Sequence, residues 1–178
     1  MPRKNRTRDL CAAALMTALL AVCSWLTVPA GPVPFTMQTF GVFAALGLMG
    51  GRRGTAAIAV WLFMGLLGLP VFAGFTGGPG QLFGVTGGYL LGFLVTGLLY
   101  WGWTGVLGTA LPVMAAGMVL GLLACYGLGT LWFLQVYTGG ETGLFGVLSL
   151  CVFPYLLPDG LKIGLALLLT RRVGKYLP

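Results

Sequence analysis

The sequence predicts an all-α integral membrane protein, a bundle of six transmembrane helices with both termini in the cytoplasm. Three observations carry that prediction. The 178 residues are 58% hydrophobic and 7% charged, with a mean hydropathy of +0.97, whereas soluble domains run near ~25% charged. Apolar runs long enough to cross a bilayer recur along almost the whole chain. They are continuous rather than alternating, which argues against an outer-membrane barrel. The basic residues gather beside these runs: Arg3, Lys4, Arg6 and Arg8 at one end, Arg52 and Arg53 in a short break, and Arg171, Arg172 and Lys175 at the other end. Cytoplasmic ends of membrane spans carry that pattern.

The net charge of +7 is therefore a record of topology and lipid contact, not of a nucleic-acid face, which would need the charges on one exposed surface with aromatic or polar company. No stretch is polar enough for a separate soluble domain, and residues 1–178 read as one transmembrane unit. A membrane, crossed several times, is the expected location.

The spans follow in order, with ends good to a few residues. The first, 10–28, has the basic start and apolar run of a signal peptide but exceeds an h-region, and reads as a retained helix. The second, 37–50, is short and is preceded by a proline-rich loop. The third is 55–72, the fourth 85–103, the fifth 107–137 and the sixth 149–170. An even count puts both termini on one side, with Arg52 and Arg53 on that side after two crossings. The inner connections, 50–54 and 102–105, are terse. The outer ones, 29–36, 73–84 and 138–146 with Glu141, are longer and rich in glycine and proline, where binding residues tend to collect.

Glycine is the second compositional signal, at 31 residues. Gly84, Gly88, Gly92 and Thr96 form a stripe at every fourth position, as do Gly117, Gly121, Cys125 and Gly129. Ala14 with Ala18, and Gly41 with Ala45, repeat the spacing. Small residues at that interval let helix backbones approach closely in lipid. Such a stripe packs within the bundle or faces a partner protein, and Ala14–Ala18 on the first helix is the candidate for the latter.

The stretch from Cys151 to Leu169 contains two formal charges, Asp159 and Lys162, one helical turn apart. In lipid each costs about 2.5–3.5 kcal/mol on insertion scales, so such residues usually face a bundle interior or polar cavity. A purely structural ion pair is the alternative, although buried pairs stabilise poorly. A carboxylate accepts and an ammonium donates, so together they suit a neutral group carrying donors and an acceptor, such as a urea or amide. Pro154 and Pro158 would kink this helix or set its start near Asp159.

Two loops could complete a site. Residues 72–89 interleave glycines, which let a backbone lie against a ligand, with the apolar walls Phe75, Phe83 and Tyr89 and the polar tips Thr76, Gln81 and Thr86. A ligand lid and a flexible connector fit this segment equally. No G-K-[ST] follows its glycines, so it is not a phosphate loop. Residues 32–39 stiffen the entry to the second span and place Gln38 and Thr39 at its outer end; a tight turn is the simpler reading there.

Catalysis finds little support. The chain has no histidine and three acids, Asp9, Glu141 and Asp159, too dispersed for a carboxylate dyad. Cys11, Cys23, Cys125 and Cys151 lack metal-ligand spacing and read as small buried hydrophobes. No enzyme activity, metal or cofactor is expected, and no ATP site is present to drive transport.

The ordered motifs P-V-P-F-T-M-Q-T-F, V-F-A-G-F-T-G-G-P-G, T-G-G-Y-L-L-G-F and P-D-G-L-K, spread over about residues 10–172, resemble those of the BioY biotin-transport proteins. These are the substrate-binding S components of energy-coupling factor (ECF) transporters. The resemblance implies a six-helix S-component bundle that captures biotin from outside with high affinity and delivers it inward. It implies the plasma membrane of a prokaryote, with a membrane-embedded coupling protein, two cytosolic ATPases and membrane lipid as partners. It implies biotin contacts for Asp159 and Lys162, for the loop from Gly74 through Phe75, Thr76 and Gln81 to Thr86, and for Gly88 and Tyr89. Phe35 would belong to a covering loop, with Gln38 beside it, and Ala14–Ala18 would be an A-x-x-x-A contact with the coupling protein. Members often carry asparagine where Gln81 stands. Some also have a basic residue after T-G-G-Y for the ligand carboxylate; residues 90–95 offer none, which leaves backbone N–H groups or Lys162. The rival readings are an S component for another vitamin, a membrane-embedded hydrolase or acyltransferase using Lys162, and a structural subunit.

Overall fold

The structure, a computed structural model, describes residues 6–29, 33–136 and 143–174. Arg3, Lys4, Glu141 and Lys175 lie outside the described residues. The elements run α1 (Arg6–Trp25), a two-residue antiparallel ladder of β1 (Thr27–Val28) and β2 (Phe35–Thr36), and α2 (Gln38–Leu66). A 3-10 turn (Ala73–Phe75) and the short α3 (Pro79–Leu82) lead into α4 (Gly87–Leu107), followed by α5 (Leu111–Val136), α6 (Leu144–Cys151) and α7 (Phe153–Val173). Four stretches are long and apolar enough to cross a membrane among the described residues: Thr7–Trp25, Gly87–Leu107, Leu111–Val136 and Phe153–Val173.

The helix α2 is broken at Gly50, whose φ of 76° and ψ of 169° are open to glycine and strained for other residues. Its two arms, 38–49 and 51–66, match the second and third sequence spans, with Arg52 and Arg53 already helical rather than in a loop. Arg53 pairs with Asp9 at 2.9 Å and so ties the start of α1 to the second arm. That arm stops at Leu66, short of the expected residue 72. Gly68 turns with φ of 94°, and Pro70 cannot supply a helical N–H. Hydropathy continues through Leu69 and Val71, which is why the apolar pattern overran the helix.

Two further boundaries differ from expectation. Residues 102–105 are not a connection: α4 runs through them to Leu107, and the chain turns at Gly108 with φ of 86°. Glycine is tolerated in helices facing lipid, and a Cβ at Gly102 or Gly105 would meet nothing within 4 Å. The last span is two helices, broken at Val152 (φ −124°, ψ −56°). Pro154 sits in the first turn of α7, where no N–H is required, and Pro158 lies inside the helix without ending it.

The arms of α2 are the hub, packed on α1, α4 and α7, while α5 lies antiparallel against α4. The two four-residue stripes meet there. Gly88 faces Gly129, Gly92 faces Cys125 and Gly121 faces Thr96. A Cβ on Gly92 would stand 2.7 Å from Cys125 Sγ and 3.0 Å from its Cα, closer than atoms pack, so the backbones touch only because the side chain is missing. Thr96 Oγ1 donates across this seam to the Gly121 carbonyl at 2.8 Å. Gly41 instead rests on Leu20 and Cys23 of α1. Ala14 and Ala18 face outward and are exposed.

Candidate functional site

A cavity of about 560 Å³ lies where the starts of α2 and α4, the middle of α5 and the first half of α7 converge. Its floor is buried; its exposed lining residues are Gly74 and Gly80 of the glycine-rich segment. The charge pair stands in it. Helical spacing puts Tyr155, Asp159 and Lys162 on one face of α7, with Ile163 and Ala166 continuing the buried stripe. Asp159 and Lys162 are each 4% exposed.

The pair is held from three sides. Lys162 Nζ donates to Asp159 Oδ1 at 2.7 Å and to the Thr36 carbonyl at 2.7 Å, and lies 4.2 Å from the centroid of the Phe35 ring. Tyr126 of α5 donates its hydroxyl to Asp159 Oδ2 at 2.6 Å. Charge-assisted hydrogen bonds of this length are about twice as strong as neutral ones. They join α7 to α5 and to the ladder that precedes α2. Tyr155 donates to the Val33 carbonyl and stacks on Phe35, fastening the same ladder to α7.

Capacity for a ligand remains. An ammonium has three donors and a carboxylate about four acceptor positions; two on each are engaged by the protein. Gln38 is oriented by Thr36: its Oε1 accepts from Thr36 Oγ1 at 3.1 Å and its backbone N–H donates to the same hydroxyl at 3.3 Å. That leaves Gln38 Nε2 buried with no hydrogen-bond partner; the Tyr89 and Thr130 hydroxyls also make no full hydrogen bond but interact with each other. Gln38 and Tyr89 line the cavity. Buried donors are nearly always paired, so the Gln38 amide has a donor to offer an acceptor inside the cavity. The cavity thus combines acceptor sites on Asp159 with donors on Lys162 and Gln38, between the apolar walls Phe72, Phe93 and Leu122.

The structure brings together most of the expected residues. Asp159, Lys162, Tyr89, Gln81, Gly74, Thr86 and Gln38 line the cavity, and Gln81 Nε2 reaches Thr86 Oγ1 at 3.4 Å near its rim. Phe35 abuts the lining through Lys162. Phe75, Thr76 and Gly88 lie outside it. Phe75 is 63% exposed and stacks on Trp25 with centroids 4.9 Å apart; Thr76 bonds back to the Ala73 carbonyl at 2.8 Å; Gly88 serves the α4–α5 seam. Tyr126, Thr36 and Tyr155 were missed by sequence reasoning. Tyrosines in apolar helices look like packing residues, and the one available signal is that a buried tyrosine hydroxyl needs a partner.

This is a helical membrane bundle with a hydrogen-bonding pocket built around a buried charge pair, the design of a binding subunit. The BioY family model matches residues 1–178, and the chain belongs to that family. It is 37% identical to the biotin transporter BioY of Thermotoga maritima, over 94% of this chain and 96% of that protein. It is 32% identical to the probable biotin transporter BioY of Pyrococcus horikoshii, over 94% and 97%. A solved structure, the S-component for biotin from an ECF-type ABC transporter, superimposes with a TM-score of 0.86 at 28% identity, covering 98% of this chain and 95% of the other.

Proposed function

We propose that this protein binds biotin and takes part in its uptake as the substrate-binding S component of an ECF transporter. The observation that carries the proposal is the buried Asp159–Lys162 pair in a cavity, with acceptor and donor positions left open. Biotin's ureido ring has two N–H donors and one carbonyl acceptor. Asp159 receives an N–H, while Lys162 or Gln38 donates to the carbonyl. The apolar walls take the fused ring and the methylene chain. Family membership and the named biotin transporters among its relatives support the ligand.

Six crossings follow when the two arms of α2 count separately. An even number sets both termini and Arg52–Arg53 in the cytoplasm of a prokaryotic cell and opens the cavity outward. Biotin enters past the glycine-rich rim. A coupling protein and two cytosolic ATPases then drive inward release, and exposed Ala14 and Ala18 offer the coupling protein a close-packing face.

The test is equilibrium dialysis of the detergent-purified protein against labelled biotin, riboflavin, thiamine and folate. Tight one-to-one binding of biotin alone is expected. Tight binding of another vitamin, or no biotin binding, overturns the assignment.

A further inference from the structure

We infer that the site recognises only the neutral end of its ligand, and that biotin with its carboxylate converted to an uncharged amide is bound about as well as the free acid. The inference rests on the biotin reading above and concerns how the other end of that molecule is met.

The distribution of cations carries it. Between Arg53 and Lys162 the sequence contains no lysine, arginine or histidine, and its charged residues there are Glu141 and Asp159, both acidic. Every segment that lines the cavity, from Thr27 to Lys162, therefore contributes one cation, Lys162 itself. Among the described residues, the other basic ones on the lining helices α2 and α7 sit well away from the cavity. Arg52 and Arg53 lie beyond the break at Gly50, and twelve helical residues from Gln38 amount to about 18 Å. Arg171 and Arg172 follow Lys162 by about 14 Å along α7.

The charge of Lys162 is already met, although one N–H is left to donate. Its Nζ has Asp159 Oδ1 at 2.7 Å, the Thr36 carbonyl at 2.7 Å and the Phe35 ring at 4.2 Å. The pair is neutral as a unit, so a ligand carboxylate brought beside it would place a second anion in a buried setting with one counter-charge. Buried charge without a partner is strongly disfavoured. The exposed part of the lining is Gly74 and Gly80, with Gln81 and Thr86 half-buried, all uncharged. A carboxylate there keeps its water, and so gains little from the protein. An amide in the same place loses no ion pair and keeps a carbonyl acceptor for Gln81 or a backbone N–H. The ligand class is thus biotin together with its neutral amides.

The experiment is competition dialysis on the detergent-purified full chain, with labelled biotin displaced by biotin or by its primary amide, at low and high salt. The amide is expected within about tenfold of the acid, and the acid's affinity to change little with ionic strength. An amide weaker by more than tenfold overturns the inference while leaving biotin binding intact. An acid whose affinity falls steeply with salt does the same. If neither compound displaces the label because no label binds, the biotin reading itself fails, and the two failures are distinct.

Discussion

Lys162→Met removes the ammonium while keeping the length of the side chain, and the structure fixes what that does. Asp159, 4% exposed, loses the donor at 2.7 Å and keeps the Tyr126 hydroxyl at 2.6 Å. Breaking a buried ion pair from one side costs about 3–5 kcal/mol, because the remaining charge is left uncompensated. The Tyr126 hydroxyl keeps the carboxylate partly compensated, so the low end of that range, about 3 kcal/mol, is expected. For a chain of this size that is a fall in Tm of roughly 6–12 °C. The double variant Asp159→Asn with Lys162→Met removes both charges and leaves Tyr126 an amide oxygen to donate to. It should recover most of the loss while still failing to bind biotin. The assay is thermal unfolding in detergent followed by tryptophan fluorescence, with and without biotin. A Lys162→Met protein as stable as the parent, or a double variant less stable than the single one, would refute the argument that the pair is a compensated buried charge.

Three further outcomes follow from the geometry. Tyr126→Phe frees one Asp159 oxygen and should weaken biotin binding about tenfold, equal to losing ~1.5 kcal/mol of a hydrogen bond to a charged group; unchanged affinity by calorimetry would remove Tyr126 from the site's support. Gly92→Leu forces α4 and α5 apart at Cys125 and should lower Tm sharply, the overpacking cost being about 1–3 kcal/mol or more, whereas Gly102→Ala, facing open space, should be neutral or stabilising. Ala14→Leu with Ala18→Leu should leave biotin binding by the isolated protein unchanged and abolish ATP-dependent uptake in reconstituted vesicles; normal uptake would free that face of a partner role.

The sequence made the deepest part of the site legible because two charges in an apolar helix need an explanation of cost, and spacing alone put Asp159 and Lys162 on one face. The stripes were legible for the same kind of reason: glycine every fourth residue has little use in lipid except close approach, and Gly92 against Cys125 shows it. Connections were less so. Hydropathy does not report that Gly68 and Pro70 end a helix before the apolar run ends, or that Gly102 and Gly105 continue one. The direction of Phe75 depends on Trp25, 50 positions away in the sequence and stacked on it. Tyr126 and the Thr36 carbonyl were invisible because their value comes from meeting α7, and a tyrosine or a backbone oxygen carries no sign of that in one dimension.

Native mass spectrometry of the protein released from detergent after exposure to biotin tests directly whether one biotin occupies the cavity built around Asp159 and Lys162. A single added mass equal to biotin is expected in the parent chain, and its absence in the folded Asp159→Asn, Lys162→Met double variant. A parent chain that gains no such mass, or a double variant that retains it, would contradict that placement of biotin.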